Sequence, residues 1–164
     1  MTIIGIDPGI AIVGYGVIRH EKGRFRTLGY GAVKTPANTE VASRLEIIYD
    51  AMAKLIETFS PDDIAVEELF FNTNQKTLIP VSEARGVILL AARQRGLNIG
   101  EYTPLQVKLA VVGYGRAEKQ QVQAMVKTIL GLESVPKPDD TADALAIAIC
   151  HANQIRNSEF GIRN

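Results

Sequence analysis

Acidic side chains that could bind metal ions stand at three separated points of the sequence. They end a first apolar strand, end a fourth strand and open a late helix, and they are Asp7, Glu67, Asp140 and Asp143. Clustered carboxylates repel one another in a partly desolvated cleft, and hard divalent cations with oxygen ligands resolve that repulsion. Two Mg²⁺ ions about 4 Å apart can hold a phosphodiester, one generating hydroxide and the other stabilising the leaving oxygen. The pattern therefore predicts phosphodiester hydrolysis.

Each acid also has a purely structural explanation. Asp7 opens an Asp-Pro-Gly turn, which forms without any chemistry. Glu67 and Glu68 end a strand, where side chains alternate, so one of the two is expected to face solvent. Asp139 precedes Asp140 in a first helical turn, and capping is the role we prefer for Asp139. Spacing alone selects neither member of either adjacent pair, but three acidic groups that meet at one sheet edge favour a shared function.

The order of predicted elements places these acids. Apolar runs and turn residues predict strands over residues 2–7, 12–19, 24–34, 64–66 and 98–102, and helical spacing predicts helices over residues 41–59, 78–95, 104–112, 117–130 and 139 to about 155. Three antiparallel strands followed by two strands reached through helices form a mixed five-stranded sheet with helices on both faces. This is the ribonuclease H-like α/β order, in which the first strand lies centrally beside the fourth. Asp7 and Glu67 would then be neighbours.

Composition sets the class of protein. The chain has 164 residues and a single cysteine, Cys150, so it can bury a core without a disulfide framework. We expect one domain over residues 1–155 and a flexible tail over residues 156–164. The first strand follows Met1 directly, with no basic leader, and no apolar run is long enough to span a bilayer. We therefore expect a cytoplasmic protein that does not associate with a membrane.

Charge is balanced overall but uneven along the chain. The chain holds 18 basic and 18 acidic side chains, which suggests indifference to nucleic acid. Residues 38–72, however, hold two basic and eight acidic side chains, whereas residues 73–128 hold eight basic and three acidic ones. This asymmetry is typical of a basic binding face next to an acidic site, although solvated helix faces would give the same counts. If metal ions neutralise the acids, DNA binding should depend on divalent metal as well as on salt.

Helix 78–95 predicts self-association, and other chemistries find no support. Its middle, residues 86–92, is apolar nearly all round, so a second copy of the chain is the economical partner for its outer side.

There is no phosphate-binding Gly-x-x-x-x-Gly-Lys loop, and one cysteine with His20 and His151 cannot build a structural zinc site. His151 follows Asp143 by two turns, and we interpret it as either a packed or solvated side chain or a support for the acids.

Four motifs identify a family resemblance. Gly5-Ile-Asp-Pro-Gly9, Ala65-Val-Glu67, Gly113-Tyr-Gly-Arg-Ala-Glu-Lys119 and Asp140-Thr-Ala-Asp143-Ala-Leu-Ala resemble, in collinear order over residues 1 to about 155, the RuvC family of Holliday junction resolvases. The resemblance implies a homodimeric endonuclease that cuts two opposed strands of a four-way DNA junction, with Mg²⁺ or Mn²⁺, in recombination and repair. It also implies the catalytic and metal-binding set Asp7, Glu67, Asp140 and Asp143. It thereby selects Glu67 over Glu68 and Asp140 over Asp139.

The resemblance also implies DNA contacts and partners. Lys108 and Lys119 match lysines that contact DNA or lie near the scissile phosphate, and whether Lys119 is catalytic or only binds DNA stays open. Phe70 matches an aromatic residue that stacks on unpaired bases, a task that Phe71 could share. The remaining expected DNA contacts are Lys76 and Arg116. The branch-migration proteins RuvA and RuvB are expected partners.

Three other functions are compatible with parts of the sequence. Another ribonuclease H-like nuclease, such as one that matures ribosomal RNA, would cleave RNA rather than a DNA junction. A non-catalytic junction-binding module is disfavoured by the intact acid set. The Gly-Ile-Asp-Pro-Gly motif also opens actin-like ATPases, but that fold needs two such domains and a longer chain than this one.

Overall fold

The computed structural model describes residues 1–69 and 75–159. Its strands are β1 (Thr2–Asp7), β2 (Ile12–Glu21), β3 (Arg24–Lys34), β4 (Asp63–Glu67) and β5 (Asn98–Tyr102), and its helices are α1 (Val41–Phe59), α2 (Gln75–Gln94), α3 (Pro104–Val112), α4 (Lys119–Leu130) and α5 (Asp139–Glu159). All five strands and all five helices predicted from the sequence are therefore present. None of the helices in the described ranges is long and apolar enough to cross a membrane.

The five strands form one mixed sheet in the order β3-β2-β1-β4-β5. β1 lies at the centre, antiparallel to β2 and parallel to β4, with Ile6 opposite Val66. The next residues along these two strands are Asp7 and Glu67, so both acids lie at the same edge of the sheet. The predicted ribonuclease H-like sheet and the neighbouring strand tips are therefore confirmed.

Local residues explain most element boundaries. The hairpin between β2 and β3 turns at Lys22 and Gly23, with φ of 50° and 75°, as a two-residue turn with two left-handed positions requires. α3 begins with Thr103 as N-cap, whose side chain accepts from the backbone N–H of Gln106, and with Pro104 in its first turn. These boundaries are predictable because neighbouring residues alone determine them: the turn residues adopt the required backbone angles, and the cap residue accepts a hydrogen bond from a free backbone N–H.

Three helix boundaries differ from the sequence prediction. α2 begins at Gln75, before the predicted residue 78, because nothing before Pro80 breaks a helix, and Pro80 therefore lies past the first turn. α4 begins at Lys119 rather than residue 117, since Glu118 caps it in a reciprocal box with Gln121. α5 continues to Glu159, past the predicted end near residue 155, because residues 139–159 contain neither glycine nor proline.

The sheet separates two hydrophobic clusters. Alternation along β1 directs Ile4 and Ile6 toward α1 and α2, and Ile3 toward α5. The helices contribute Ile48, Met52, Ala84 and Ile88 to the first cluster, and Val107, Val122, Leu145 and Ile149 to the second. Asp7 has the parity of Ile3, so its side chain lies on the α5 face of the sheet. This parity brings the end of β1 under the helix that carries Asp140 and Asp143.

Close packing of α5 on the sheet depends on glycine. A Cβ at Gly5 would lie 2.7 Å from the backbone nitrogen of Ala148 and 2.9 Å from its Cβ. A Cβ at Gly14 would clash with the backbone carbonyl of Asp140. No side chain fits between helix and sheet at either position. The N-terminal half of α5 therefore lies directly on β1 and β2, and its carboxylates reach the sheet edge.

Candidate active site

Four acidic residues from three elements converge at one edge of the sheet. Asp7 ends β1, Glu67 ends β4, and Asp140 and Asp143 lie in the first turns of α5. The negative charges of the other three acids raise the pKa of Asp7. The structure therefore brings together the four acids that the sequence singled out.

Asp7 has the most strongly shifted pKa of this cluster. Burial, followed by the charges of Glu67, Asp143 and Asp140, raises its pKa to about 8, and Lys119 opposes the shift. Its surroundings therefore disfavour a carboxylate at neutral pH when no metal ion is bound, even with Lys119 nearby. A bound divalent cation would reverse that preference, because a positive charge stabilises the ionised form.

Glu67 and Asp143 show the same effect. Burial and the charge of Asp143 raise the pKa of Glu67 to about 7. Burial also raises the pKa of Asp143, although the hydrogen bond from Lys119 opposes that shift. Asp7, Glu67 and Asp143 thus compete for ionisation, which is typical of a functional site.

The adjacent acids Glu68 and Asp139 behave differently. Glu68 is exposed and is not among the charges that raise the pKa of Asp7. Asp139 lies 2.7 Å from the ammonium of Lys137, whose hydrogen bond lowers the pKa of Asp139. Both Asp139 and Asp140 raise the pKa of Asp143, but of the two only Asp140 raises that of Asp7, so Glu67 and Asp140 stay the proposed members of the two pairs.

Lys119 is the cation nearest to the acids in the described part of the chain. Its Nζ lies 2.8 Å from Oδ2 of Asp143 and 3.7 Å from Oδ2 of Asp139. Burial lowers the pKa of Lys119, but the hydrogen bond to Asp143 and the surrounding carboxylates raise it overall. The side chain therefore stays an ammonium ion at neutral pH.

Lys119 and Lys108 line the same cleft as two of the acids. The cleft encloses ≈ 180 Å³, and its lining residues are Glu67, Pro104, Val107, Lys108, Lys119, Val122, Asp143 and Ala146. Two ammonium groups beside two carboxylates suit a phosphodiester, because the lysines attract the phosphate and the acids remain available to metal ions. Both lysines thus lie beside the acids, as their predicted contact with the scissile strand requires.

The acid set fits divalent metal as an open site. Within residues 1–69 and 75–159, no three acidic, histidine or cysteine side chains enclose a position for an ion. Mg²⁺ seldom needs such a cage, because it keeps several waters and is usually bound by one or two carboxylates together with substrate phosphates. Carboxylate oxygens with raised pKa at an open edge of the sheet match that requirement.

The remaining predicted DNA contacts are only partly described. Arg116 is exposed in the loop between α3 and α4. Lys76 lies in the first turn of α2, and its side chain, like Phe70 and Phe71, falls outside what the structure describes. Their predicted roles in DNA binding stay predictions.

Two groups of contacts on the elements that carry the acids were not predicted from the sequence. Arg85 of α2 donates through Nε to the main-chain carbonyl of Glu67 at 3.1 Å and forms an ion pair with Glu101. His151 is buried between Tyr102 and Asp63, which excludes the solvated alternative. No spacing signal predicts either contact, since each partner comes from a distant strand.

Comparison with known proteins identifies the family. The family model for crossover junction endodeoxyribonuclease RuvC matches residues 3–151. This chain belongs to the RuvC family. A RuvC from Halothermothrix orenii is 56% identical over 164 residues, covering 99% of this chain and 99% of the relative. The divalent metal that RuvC nucleases require in general agrees with the acid cluster.

Solved RuvC structures share the fold throughout. Thermus thermophilus RuvC is 39% identical and superposes with a TM-score of 0.90, covering 96% of this chain and 97% of that chain. The same RuvC in complex with a Holliday junction substrate is 38% identical, with a TM-score of 0.91 and coverage of 99% and 97%. The described sheet and helices are therefore those of a RuvC nuclease.

Proposed function

We propose that this chain resolves Holliday junctions by metal-dependent hydrolysis of two opposed DNA strands, in homologous recombination and DNA repair. The observation that carries the proposal is the acid cluster with raised pKa values beside Lys119. The similar Thermus thermophilus RuvC, in complex with a Holliday junction substrate, supports it. Phosphodiester hydrolysis is the chemistry that this charge arrangement serves. A second RNA-directed function has no observation in its favour.

We propose Mg²⁺ as the cofactor, replaceable by Mn²⁺, with two ions in each site held by Asp7, Glu67, Asp140 and Asp143. When bound, such ions supply a hydroxide nucleophile and stabilise the leaving oxygen. The chain itself positions the strand: Lys108 and Lys119 attract the phosphate, and Lys119 can offset negative charge that develops during cleavage. Whether Lys119 adds catalysis to binding is testable through its variant.

Further DNA contacts are proposed outside the cleft. Arg116 would contact a phosphate, since its side chain is exposed in the α3–α4 loop. Lys76 would contact the backbone from α2. Phe70 and Phe71 would stack on bases that the junction leaves unpaired.

We also propose a homodimer formed through α2. Within the chain, Ala84 and Ile88 are buried, whereas Ile79 and Leu90 on the other side are 69% and 52% exposed. A Cβ at Gly86 would meet no atom within 4 Å, which leaves room for close approach of a second helix. A two-fold dimer would present two equivalent sites to the two equivalent strands of a junction.

Three broader expectations stay proposals. RuvA and RuvB are proposed partners by family membership, and no docking surface is assigned to them. The location is proposed to be cytoplasmic. Residues 1–155 are proposed to form one nuclease domain, whose last helix α5 continues to Glu159 into the segment predicted to be a tail.

The decisive experiment is incubation with an end-labelled four-way junction, with and without Mg²⁺, followed by mapping of the cut positions. We expect paired, symmetric cuts in two opposed strands that require the metal. A linear duplex of the same sequence and a structured RNA serve as matched controls. Cleavage of the RNA in preference to the junction, or equal cleavage of the linear duplex, would refute junction resolution.

Asp7→Asn tests the mechanism in the same assay. It should abolish cleavage and leave junction binding nearly intact, because it removes a ligand without adding bulk. Nicking by this variant at the wild-type rate would refute metal-dependent hydrolysis at this site.

A further inference from the structure

A buried polar chain joins the middle of α5 to two strands of the sheet. Nδ1 of His151 lies 2.8 Å from the hydroxyl of Tyr102, and Nε2 lies 3.0 Å from Oδ2 of Asp63. Asn98 donates through Nδ2 to Oδ1 of the same carboxylate at 2.8 Å. His151, Asp63 and Tyr102 are 5%, 6% and 9% exposed. Both ring nitrogens therefore have partners in a site that solvent hardly reaches.

The sheet is shaped to receive the imidazole. A proton on Nε2 satisfies the whole chain, since the Tyr102 hydroxyl then donates to Nδ1 and Nε2 donates to Asp63. A Cβ at Gly100 would lie 2.7 Å from Cε1 of His151, so any other residue at Gly100 would displace the ring. Burying an aspartate and a histidine is costly compared with apolar side chains of similar volume. A helix that needed only to be packed would not require them.

The two strand residues that contact His151 are linked to Glu67 through β4 and through its pairing with β5. Asp63 is the first residue of β4, and Glu67 is the last. Tyr102 pairs with Glu67 across β4 and β5, and its carbonyl accepts from the backbone N–H of Glu68 at 2.8 Å. The position of His151 is thereby tied to one side of the acid cluster.

The helix that carries His151 also carries two of the four acids. Asp140 and Asp143 lie at the N-terminal end of α5, and His151 follows Asp143 by about 12 Å along the helix axis. A helix is stiff over this length. A shift of α5 at His151 would therefore move both carboxylates relative to β1 and β4.

Packing against β1 adds little constraint on such a shift, although Leu145 of α5 packs closely against Gly16 of β2. Between His151 and the acids, α5 meets β1 through small residues, with Ala144 and Ala148 against Gly5. Contacts between glycine and alanine allow close approach, but they contain few protruding groups that interlock along the helix axis. Hydrogen bonds, by contrast, have narrow limits on distance and angle.

We propose that His151 is a positioning residue that fixes α5 along the sheet through Tyr102 and Asp63, and so sets the separation of Asp140 and Asp143 from Asp7 and Glu67. The proposal rests on the proposed nuclease function, and it deepens that function. His151 touches neither substrate nor metal in this role. Its effect is to hold carboxylates of α5 and of the sheet at the spacing that metal ions and a phosphate require.

Two conservative variants test the proposal. Tyr102→Phe removes one hydroxyl without changing shape, and His151→Gln shortens the connection while it stays polar. Single-turnover junction cleavage is measured well below the melting temperature of each variant, and junction affinity is measured in an Asp7→Asn background. We expect cleavage to fall about 3- to 10-fold for Tyr102→Phe and about 10- to 100-fold for His151→Gln, with affinity within about twofold, since small misplacements of reacting groups cost up to about 100-fold.

Cys150→Ala is the matched control. Cys150 is the neighbour of His151 on α5, is fully buried and is a free thiol. Its truncation should lower the melting temperature through lost packing and leave the cleavage rate unchanged. If His151→Gln and Tyr102→Phe are also destabilised but cleave at the wild-type rate, His151 has only a structural role and the proposal is wrong.

Metal binding distinguishes this proposal from the proposed function. Mn²⁺ affinity of the DNA-free protein, measured by calorimetry, should fall in His151→Gln and Tyr102→Phe and not in Cys150→Ala. If the wild type cleaves no junction, the proposed function fails, and this titration still tests the positioning role. Unchanged Mn²⁺ affinity in both variants, together with unchanged cleavage, would overturn it.

Discussion

The ammonium of Lys119 lies 2.8 Å from Oδ2 of Asp143, at the mouth of the acid cluster. This pair is the closest cation–carboxylate contact of the four proposed ligands in the described residues. Since Lys119 also lines the cleft with Glu67, it compensates negative charge in the protein and can meet a phosphate that enters. We therefore expect Lys119 to act both in the free protein, on Asp143, and in the complex, on the phosphate.

Lys119→Gln should reduce single-turnover junction cleavage by about 100-fold, because it removes one charged donor from the place where negative charge develops. Lys127→Gln, on the same helix α4 but in its last turn, is the control and should cleave normally. Measuring junction affinity alongside the rate separates binding from catalysis. A loss confined to affinity would assign Lys119 to DNA binding alone.

The adjacent acid pairs provide an internal test of the proposed ligand set. Glu67→Gln should lower cleavage by about 1,000-fold or more, since loss of a metal ligand removes several kcal/mol of transition-state stabilisation. Glu68→Gln should be nearly neutral, because Glu68 is exposed and outside the cluster. Equal losses from both variants would show that the alternation of side chains at the end of β4 does not determine which glutamate binds the metal.

Asp140→Asn and Asp139→Asn repeat this comparison on α5. Asp140 is one of the charges that raise the pKa of Asp7, whereas Asp139 is paired with Lys137. We expect Asp140→Asn to lose cleavage and Asp139→Asn to retain it. The same single-turnover assay decides the outcome, and an inactive Asp139→Asn would contradict the assignment.

Metal-free stability should decrease as pH rises toward 8. Burial and neighbouring carboxylates raise the pKa of Asp7 from 3.8 to about 8, so the folded state binds a proton there that the unfolded state has already lost. Asp7→Asn removes this penalty. In EDTA its melting temperature should equal that of the wild type near pH 4 and exceed it increasingly up to pH 8, by about 2–4 °C for each kcal/mol of relief.

Mg²⁺ supplies the control for this pH series. Ionised carboxylates bind the metal, so Mg²⁺ should stabilise the wild type most at high pH and stabilise Asp7→Asn less. Melting curves that show no difference between the two proteins at pH 8 in EDTA would mean that Asp7 titrates like an exposed aspartate.

Junction affinity should depend on divalent metal as well as on salt. Added KCl should weaken binding by about tenfold or more between 50 and 200 mM, because lysine and arginine contacts release counterions from DNA. Removal of Mg²⁺ should weaken it further, since the negative charge of the acid cluster would then face the phosphate without a compensating metal ion. Neutralising two acids in an Asp7→Asn/Asp143→Asn variant should abolish most of the metal dependence, and an affinity insensitive to EDTA in the wild type would refute this account.

Leu90→Glu should convert a dimer to a monomer, because it places a charge on the exposed apolar side of α2. Light scattering after gel filtration measures the mass, and Ile47→Glu on α1, where Ile47 is 37% exposed, is the control. The monomer should nick junctions one strand at a time rather than in pairs. A wild-type protein that elutes as a monomer at micromolar concentration would contradict the proposed interface.

Sequence patterns predicted the features that local residues determine. Strand β5 and helix α3 match their predicted bounds, because Thr103 and Pro104 mark the junction between them. The strand order also followed from connection rules, and with it the proximity of Asp7 to Glu67. Helix caps, strand alternation and short connections can therefore be predicted from the amino-acid sequence alone.

Contacts between distant segments were not predictable in the same way. The burial of His151 depends on Gly100 and Asp63, which come from two different strands, and neither lies at a helical or strand spacing from it. The contact of Arg85 with the Glu67 carbonyl likewise crosses from α2 to β4. Such pairs depend on which faces of the helices and the sheet meet in space, and no local pattern of residues specifies that.

The origin of the acids in β1, β4 and α5 has a consequence for the safety of the genome during protein synthesis. The first strand and the last helix must both be in place before any phosphate meets a complete ligand set. We therefore expect that a nascent chain, or a proteolytic fragment, that lacks α5 does not nick DNA. With the proposed ligand set, hydrolysis therefore requires α5 to be docked on the sheet, whichever element folds first.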